Sequence, residues 1–278
     1  MWLKRIAEWS ESSTVYLSIP FTWNLPQAYS ACIWHRKLGY NVKAGGPAVD
    51  LMPNYLNDIA EVGGKIPALF RHNPLATFTS RGCIRSCKFC AVPRIEGHFI
   101  ELEQWEPKPI ICDNNLLACS KIHFEKVIDS LKTVKGIDFN QGLDCRLLTD
   151  YHLERITELN LSCVRFAWDA IKTENQFMDS INKTIMAGIP KNKIRAYVLI
   201  GFRDTPEDAL YRLETVRKLG IRSNPQRYQA IDKTKYGDPL VKNSYCEPQW
   251  TKRLLSKYMR YWARQNWLSK IPFDEYIG

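Results

Sequence analysis

Between residues 76 and 231 short apolar runs alternate with amphipathic stretches, and this alternation constrains the fold more than any other feature of the chain. The runs at 76–80, 109–112, 136–140, 163–167, 194–200 and 227–231 have the length and composition of buried strands. The stretches 119–131, 151–159, 175–187 and 206–219 carry apolar residues at helical spacing. Gly136, Gly188 and Gly220 follow helix ends, where a left-handed residue closes the last turn. Asp204 reads as the cap of the helix that opens at Pro206. Strands joined through helices pair in parallel, so the class is α/β, with a sheet that is open or curled into a partial (β/α)6 barrel of TIM type. The partial barrel is the expectation. In such folds the chemistry sits at the carboxyl ends of the strands.

Two additions flank this core. Residues 14–50 read as strand, helix, strand: 15–20, then 25–38 ending at Gly39, then 40–44 closed by Gly45, Gly46 and Pro47. This is one βαβ unit with parallel strands. Residues 251–270 form a helical stretch with six basic residues, no acidic one, and the aromatics Tyr258, Tyr261, Trp262 and Trp267. One reading packs Leu254, Leu255, Tyr258, Trp262 and Leu268 on the core; the other sets Lys257, Arg260 and Arg264 against phosphates. The predicted divisions are 1–75 as an N-terminal α/β extension, 76–231 as the core, and 232–278 as a basic aromatic tail.

Composition narrows the setting. No apolar run approaches the roughly 20 residues of a membrane span, and the first residues lack a signal-peptide core, which reads as cytoplasmic. The nine cysteines are odd in number and scattered, so reduced thiols are expected rather than a disulfide framework. A formal charge of +10 favours polyanionic partners, nucleic acid among them.

Residues 79–93 read TSRGCIRSCKFCAVP and place Cys83, Cys87 and Cys90 at C-x3-C-x2-C spacing, directly after the first expected strand. Three thiolates suit an iron–sulfur cluster with one iron left open. Zinc wants a fourth ligand, and Cys112, Cys119 or His98 could supply one only without a recognisable spacing.

The run Cys83, Cys87, Phe89, Cys90 resembles the signature of the radical S-adenosylmethionine superfamily, and the resemblance covers about residues 76–231. It implies a [4Fe-4S] cluster held by the three cysteines, with S-adenosylmethionine chelated at the fourth iron. It also implies reductive cleavage to a 5′-deoxyadenosyl radical that abstracts hydrogen from substrate. Asp113, Asn114 and Asn115 fall where the family holds the amino group. Gln141, Asp144 and Arg146, with Asn140, follow the third strand, where Arg146 could pair with the carboxylate and Asp144 could serve ribose or substrate. Trp168 and Asp169 fall at the ribose station, and Gly201 beneath the adenine. Asp144, Arg146 and Asp169 are the candidate catalytic residues. The resemblance extends to compact phage and bacterial enzymes, some of which rearrange modified pyrimidines in DNA. The expected substrate is therefore a nucleic-acid base or a base-attached group, with flavodoxin or ferredoxin as electron donor. A peptide or small-metabolite substrate is the rival enzyme reading. A zinc- or cluster-bearing nucleic-acid-binding protein is the non-enzymatic one. Residues 14–50 resemble the end of a cobalamin-binding domain, but they lack a D-x-H-x-x-G segment, so cobalamin is not expected and His35 reads as structural.

Overall fold

The alternation of residues 14–18 makes a strand with one apolar face, and a helix covers that face. The computed structural model describes residues 2, 5–64, 66–231, 237–268 and 270–277. It divides into one unit of residues 1–76, 85–97 and 229–244 and another of 77–84, 98–228 and 245–278. Residues 232–236 of the expected tail, and Ser269 of its helical stretch, lie outside the described residues.

In the first unit β1 (Ala7–Glu11) and β2 (Thr14–Ser18) form an antiparallel hairpin. After α1 (Leu25–Lys37), β3 (Asn41–Gly45) pairs parallel with β2, as the βαβ reading expects. Then come α2 (Pro47–Leu51), β4 (Glu61–Val62) beside β3, α3 (Leu69–His72) and α4 (Val92–Ile95). Leu17, Ile19, Val42 and Ala44 are buried together with Leu25, Ala28 and Cys32 of α1. His35 meets Glu8 at 2.8 Å on this side. The strands β1 and β4 were not expected. β1 reads as polar because its sequence is largely Glu and Ser, yet Trp9 stacks on its cross-strand partner Tyr16 at 5.3 Å between ring centroids.

In the second unit the strands are β5 (Ala76–Thr77), β6 (Ser80–Arg81), β7 (Ile100–Glu101), β8 (Ile110–Ile111), β9 (Lys135–Phe139), β10 (Asn160–Ala167), β11 (Ile194–Ile200) and β12 (Arg222–Arg227). The helices are α5 (Lys121–Leu131), α6 (Asp150–Thr157), α7 (Glu174–Met186), α8 (Pro206–Lys218) and α9 (Lys252–Ala263). The main sheet runs β5-β8-β9-β10-β11-β12, and each pairing from β8 to β12 is parallel. β6 and β7 form a separate antiparallel pair. One apolar core joins Phe124 and Ile128 of α5, Ile156 of α6, Phe177 of α7 and Leu213 of α8 to the strands. Among the described residues no helix is long and apolar enough to cross a membrane.

Several expectations shift. The first strand breaks into β5 and β6, because Asp113 draws off the polar groups of Thr79 and Ser80. The last strand is 222–227 rather than 227–231. Pro225 argues against a strand, but β12 is the sheet edge, and a residue without an N–H is tolerated there. Gly136 lies inside β9 at φ +75° rather than behind α5, whereas Gly188 and Gly220 do follow their helices at φ +90° and +75°. The cap of α8 is Thr205, not Asp204: the Thr205 hydroxyl accepts from Asp208 N at 3.1 Å. In α9, Leu255, Tyr258, Tyr261 and Trp262 are all buried, so the packed reading of the aromatics holds for these. Burial of this kind contributes on the order of 2 kcal/mol per large apolar side chain.

Candidate functional site

The carboxyl ends of β8 to β11 gather most of the polar residues singled out in the sequence. The approach to the cysteine loop is narrow. Gly82 sits at φ +73°, and a Cβ there would lie 2.3 Å from the carbonyl oxygen of His98, so only glycine lets the chain turn from β6 into Cys83. Cys83 belongs to the second unit, and Cys87, Phe89 and Cys90 to the first. Cys90 N donates to Cys87 O at 2.9 Å, closing a turn around Lys88 and Phe89. The three thiols are partly exposed and none is in a disulfide. Among the described residues no three His, Cys, Asp or Glu side chains stand together as a metal-ligand group.

β8 runs out into Asp113 and Asn115. The buried Asp113 carboxylate accepts from Thr79 N at 2.7 Å, from Ser80 Oγ at 2.8 Å and from Thr79 Oγ1. Burial pushes its pKa up, and these hydrogen bonds oppose the rise. Asp113 therefore braces the chain ahead of the cysteine loop. Asn114 beside it is partly buried. Asn115 is buried, and its Nδ2 lies 3.6 Å from Cys83 Sγ and 3.4 Å from Asp144 Oδ2. Its Oδ1 is buried and has no hydrogen-bond partner among the described residues. An acceptor left in that state costs about 1–3 kcal/mol, which a donor on a bound ligand would relieve.

After β9, Gln141 is exposed, while the Asp144 side chain is 7% exposed. Arg146 forks onto Asp144, with Nε donating to Oδ1 at 2.6 Å and Nη2 to Oδ2 at 2.9 Å. The fork that the family resemblance reserves for a ligand carboxylate is here engaged by Asp144. Cys83, Asn115, Asp144 and Arg146 thus form one continuous string of polar contacts.

At the end of β10, Trp168 is fully buried; its Nε1 donates to Ala170 O at 3.0 Å and its ring stacks on Phe177. It is a core residue. Asp169 beside it is partly buried, and burial pushes its carboxyl pKa up to about 6. The Arg212 and Arg146 guanidiniums pull that value back, and Asp144 pushes it up. Gly201, at φ +76°, donates its N–H to Asp204 Oδ1 at 2.9 Å, and a Cβ there would lie 3.0 Å from a methyl of Leu255 in α9, a tight contact.

The sequence reading missed Arg212. Its side chain is 0% exposed, and its Nη1 donates to Trp168 O at 3.0 Å and Leu199 O at 2.8 Å. Its Nη2 donates to Asp204 Oδ2 at 2.6 Å. The other oxygen of Asp204 accepts from Gly201 N, Phe202 N and Trp250 Nε1. The signal was present: in α8 an arginine falls at a core-facing position among Ala209, Leu213 and Val216. A charge at such a position demands a buried partner.

Thiols are soft donors by type, but among the described residues Cys83, Cys87 and Cys90 are not gathered into a ligand group. The unpartnered Asn115 Oδ1, one amide away from Cys83, fits an N–H donor such as an amino group. Asp144, Arg146 and Asp169 supply charge of both signs at the neighbouring strand ends. The sequence matches no protein-family model and no curated protein.

Proposed function

We propose that the chain is a radical S-adenosylmethionine enzyme acting on a nucleic-acid base or a base-attached group, of the isomerase or mutase type that serves pyrimidine hypermodification in DNA. The observation that carries this reading is the loop Cys83, Cys87, Phe89, Cys90 directly after β6, a few residues on from the main sheet's edge strand β5, with the unpartnered acceptor of Asn115 beside Cys83. The strand order supports a sheet curled as a partial barrel. It follows the chain without reversal, so right-handed crossovers put α5 to α8 on one face.

When bound, the cluster and S-adenosylmethionine supply a carbon radical that abstracts hydrogen from the substrate. The chain's own part is to bind and orient. Cys83, Cys87 and Cys90 would hold the cluster as thiolates. Asn115 Oδ1 would accept from the amino group, and Asp113 braces the chain ahead of the cysteine loop through Thr79 and Ser80. Asp144 holds Arg146 in place at the site rim. Asp169, with its pKa raised to about 6, is the group best placed to hold or release a proton near neutral pH.

Anaerobic reconstitution with iron and sulfide tests this. The expected product is brown, carries four irons per chain, and releases 5′-deoxyadenosine from S-adenosylmethionine with a strong reductant. Cys87→Ala should lose the cluster and keep the fold. A colourless protein with one zinc, or undiminished release from Cys87→Ala, overturns the proposal.

A further inference from the structure

The last helix carries charge that the fold does not use. Arg253, Lys257, Arg260 and Arg264 follow one another at i, i+4, i+7 and i+11, which places them on one face of α9 and its C-cap. α9 contains no acidic residue. Arg253, Arg260 and Arg264 are exposed, and none has an ion-pair partner among the described residues. Lys257 leans inward, with Nζ 3.4 Å from Asp274 O. The opposite face of α9 is buried in the core through Leu255, Tyr258, Tyr261 and Trp262. A helix whose apolar face is spent in this way cannot lie in a membrane surface, which requires that face for insertion.

The helix also has a direction. Its start is tied to the loop after β11 and the start of α8: Trp250, just ahead of the helix, donates Nε1 to Asp204 O at 3.1 Å, and Tyr258 in the second turn donates its OH to Pro206 O at 2.6 Å. Its far end is tied to the start of β12, where Gln265 Nε2 donates to Ser223 O at 2.6 Å. The basic stripe therefore begins at the carboxyl edge that carries the candidate site and runs away from it. From Arg253 to Arg264 it spans about 16 Å at about 1.5 Å per residue. That is close to the axial rise of five nucleotides of one strand at about 3.4 Å each. Beyond the helix Trp267 is 90% exposed, and its backbone N–H donates to Arg264 O at 2.8 Å. Guanidiniums spaced along a track with an open aromatic at the end are the means by which a single strand is held without sequence preference.

We propose that the outward face of α9 is a phosphate-binding track for single-stranded nucleic acid, with Arg253, Arg260 and Arg264 on the backbone and Trp267 stacked on a base. It deepens the nucleic-acid reading of the substrate, and it does not depend on the cluster.

The test is fluorescence anisotropy of the full chain with a labelled 20-nucleotide single strand, without S-adenosylmethionine or reductant. Failure here therefore leaves release of 5′-deoxyadenosine to be judged separately. The variant R253Q/R260Q/R264Q should flatten the slope of log affinity against log salt by about 2, from about 0.7 per phosphate contact, and bind about 100-fold more weakly at 0.1 M salt. Trp267→Ala should lose about tenfold with the slope unchanged. The control K126Q/K135Q/K191Q, three exposed lysines elsewhere in the second unit, should bind as wild type. All these residues are exposed, so thermal melts should match wild type and exclude misfolding. No binding by wild type at 50 mM salt overturns the proposal. So does an unchanged slope in the arginine variant, or an equal loss in the lysine control. A Trp267→Ala protein that binds as wild type overturns the single-strand reading in favour of a general polyanion surface.

Discussion

Asp169 is a carboxyl held against its ordinary behaviour, and replacing it tests the electrostatics of the site directly. Burial raises its pKa from 3.8 to about 6, net of the opposing pull of Arg212 and Arg146. A displacement of that size makes the charged form cost on the order of 3 kcal/mol in the folded protein. The sign follows from proton binding. Between pH 4 and 6 the folded state keeps a proton that the unfolded chain has released. Stability is therefore undiminished by this group below about pH 4 and falls as the pH rises through 6. Asp169→Asn removes the charge and with it the penalty. At pH 7.5 the variant should be more stable than wild type by on the order of 2–3 kcal/mol, about 5 °C in Tm for a chain of this length. At pH 4 the two should melt together. Thermal melts followed by circular dichroism from pH 4 to pH 8, at constant ionic strength, read the gap. A variant less stable than wild type at pH 7.5, or a gap that does not change with pH, refutes the reasoning. A gap that opens as expected, alongside lost release of 5′-deoxyadenosine, marks Asp169 as a residue whose charge lowers stability and is retained for its chemistry.

Arg212→Met should destabilise by about 3–5 kcal/mol, because it leaves the Asp204 charge and two backbone carbonyls buried without their partner; urea unfolding checks this, and a loss under 1 kcal/mol would show that the arginine is dispensable. R212M combined with D204N should cost less than the sum of the two single changes. Gly82→Ala meets both a left-handed φ and the His98 carbonyl, so it should displace the β6–β7 pair and speed proteolysis of the 82–98 segment by at least tenfold. Unchanged digestion would contradict the close approach. Asn115→Leu removes the unpartnered oxygen together with its amide, so stability should change by less than about 1 kcal/mol while binding of S-adenosylmethionine, measured by equilibrium dialysis, is lost. Retained binding would remove Asn115 from the site.

Regular elements with strong periodicity were legible in the sequence. β11 has the predicted bounds, α1 and α7 lie within one residue of theirs, and the parallel pairing follows from the helical crossovers. What escaped were elements whose identity is decided by neighbours. β12 contains Arg222, Asn224, Pro225 and Arg227, and only its place at the sheet edge makes it a strand. β1 becomes one through the Trp9–Tyr16 contact. In the site, the residue types at the strand ends were legible, but their allegiance was not. Asp113, Trp168 and Gly201 were expected at a cofactor, and their polar atoms are instead engaged with Thr79 and Ser80, with Ala170, and with Asp204. Spacing gives the address of a polar group and says nothing of which partner reaches it first.

The Arg212 contacts bear on motion. A single guanidinium holds the carbonyl before Asp169, the carbonyl near the end of β11, and Asp204, which in turn holds the amides of Gly201 and Phe202. The loops after β10 and β11 therefore cannot open one at a time, since either opening would strand the same buried charge. Hydrogen exchange should find the amides of Gly201 and Phe202 exchanging in one shared event with those of α8 around Arg212, as a single cooperative unit. Ligand-driven rearrangement at this edge would then be a concerted step of both loops rather than the flexing of one.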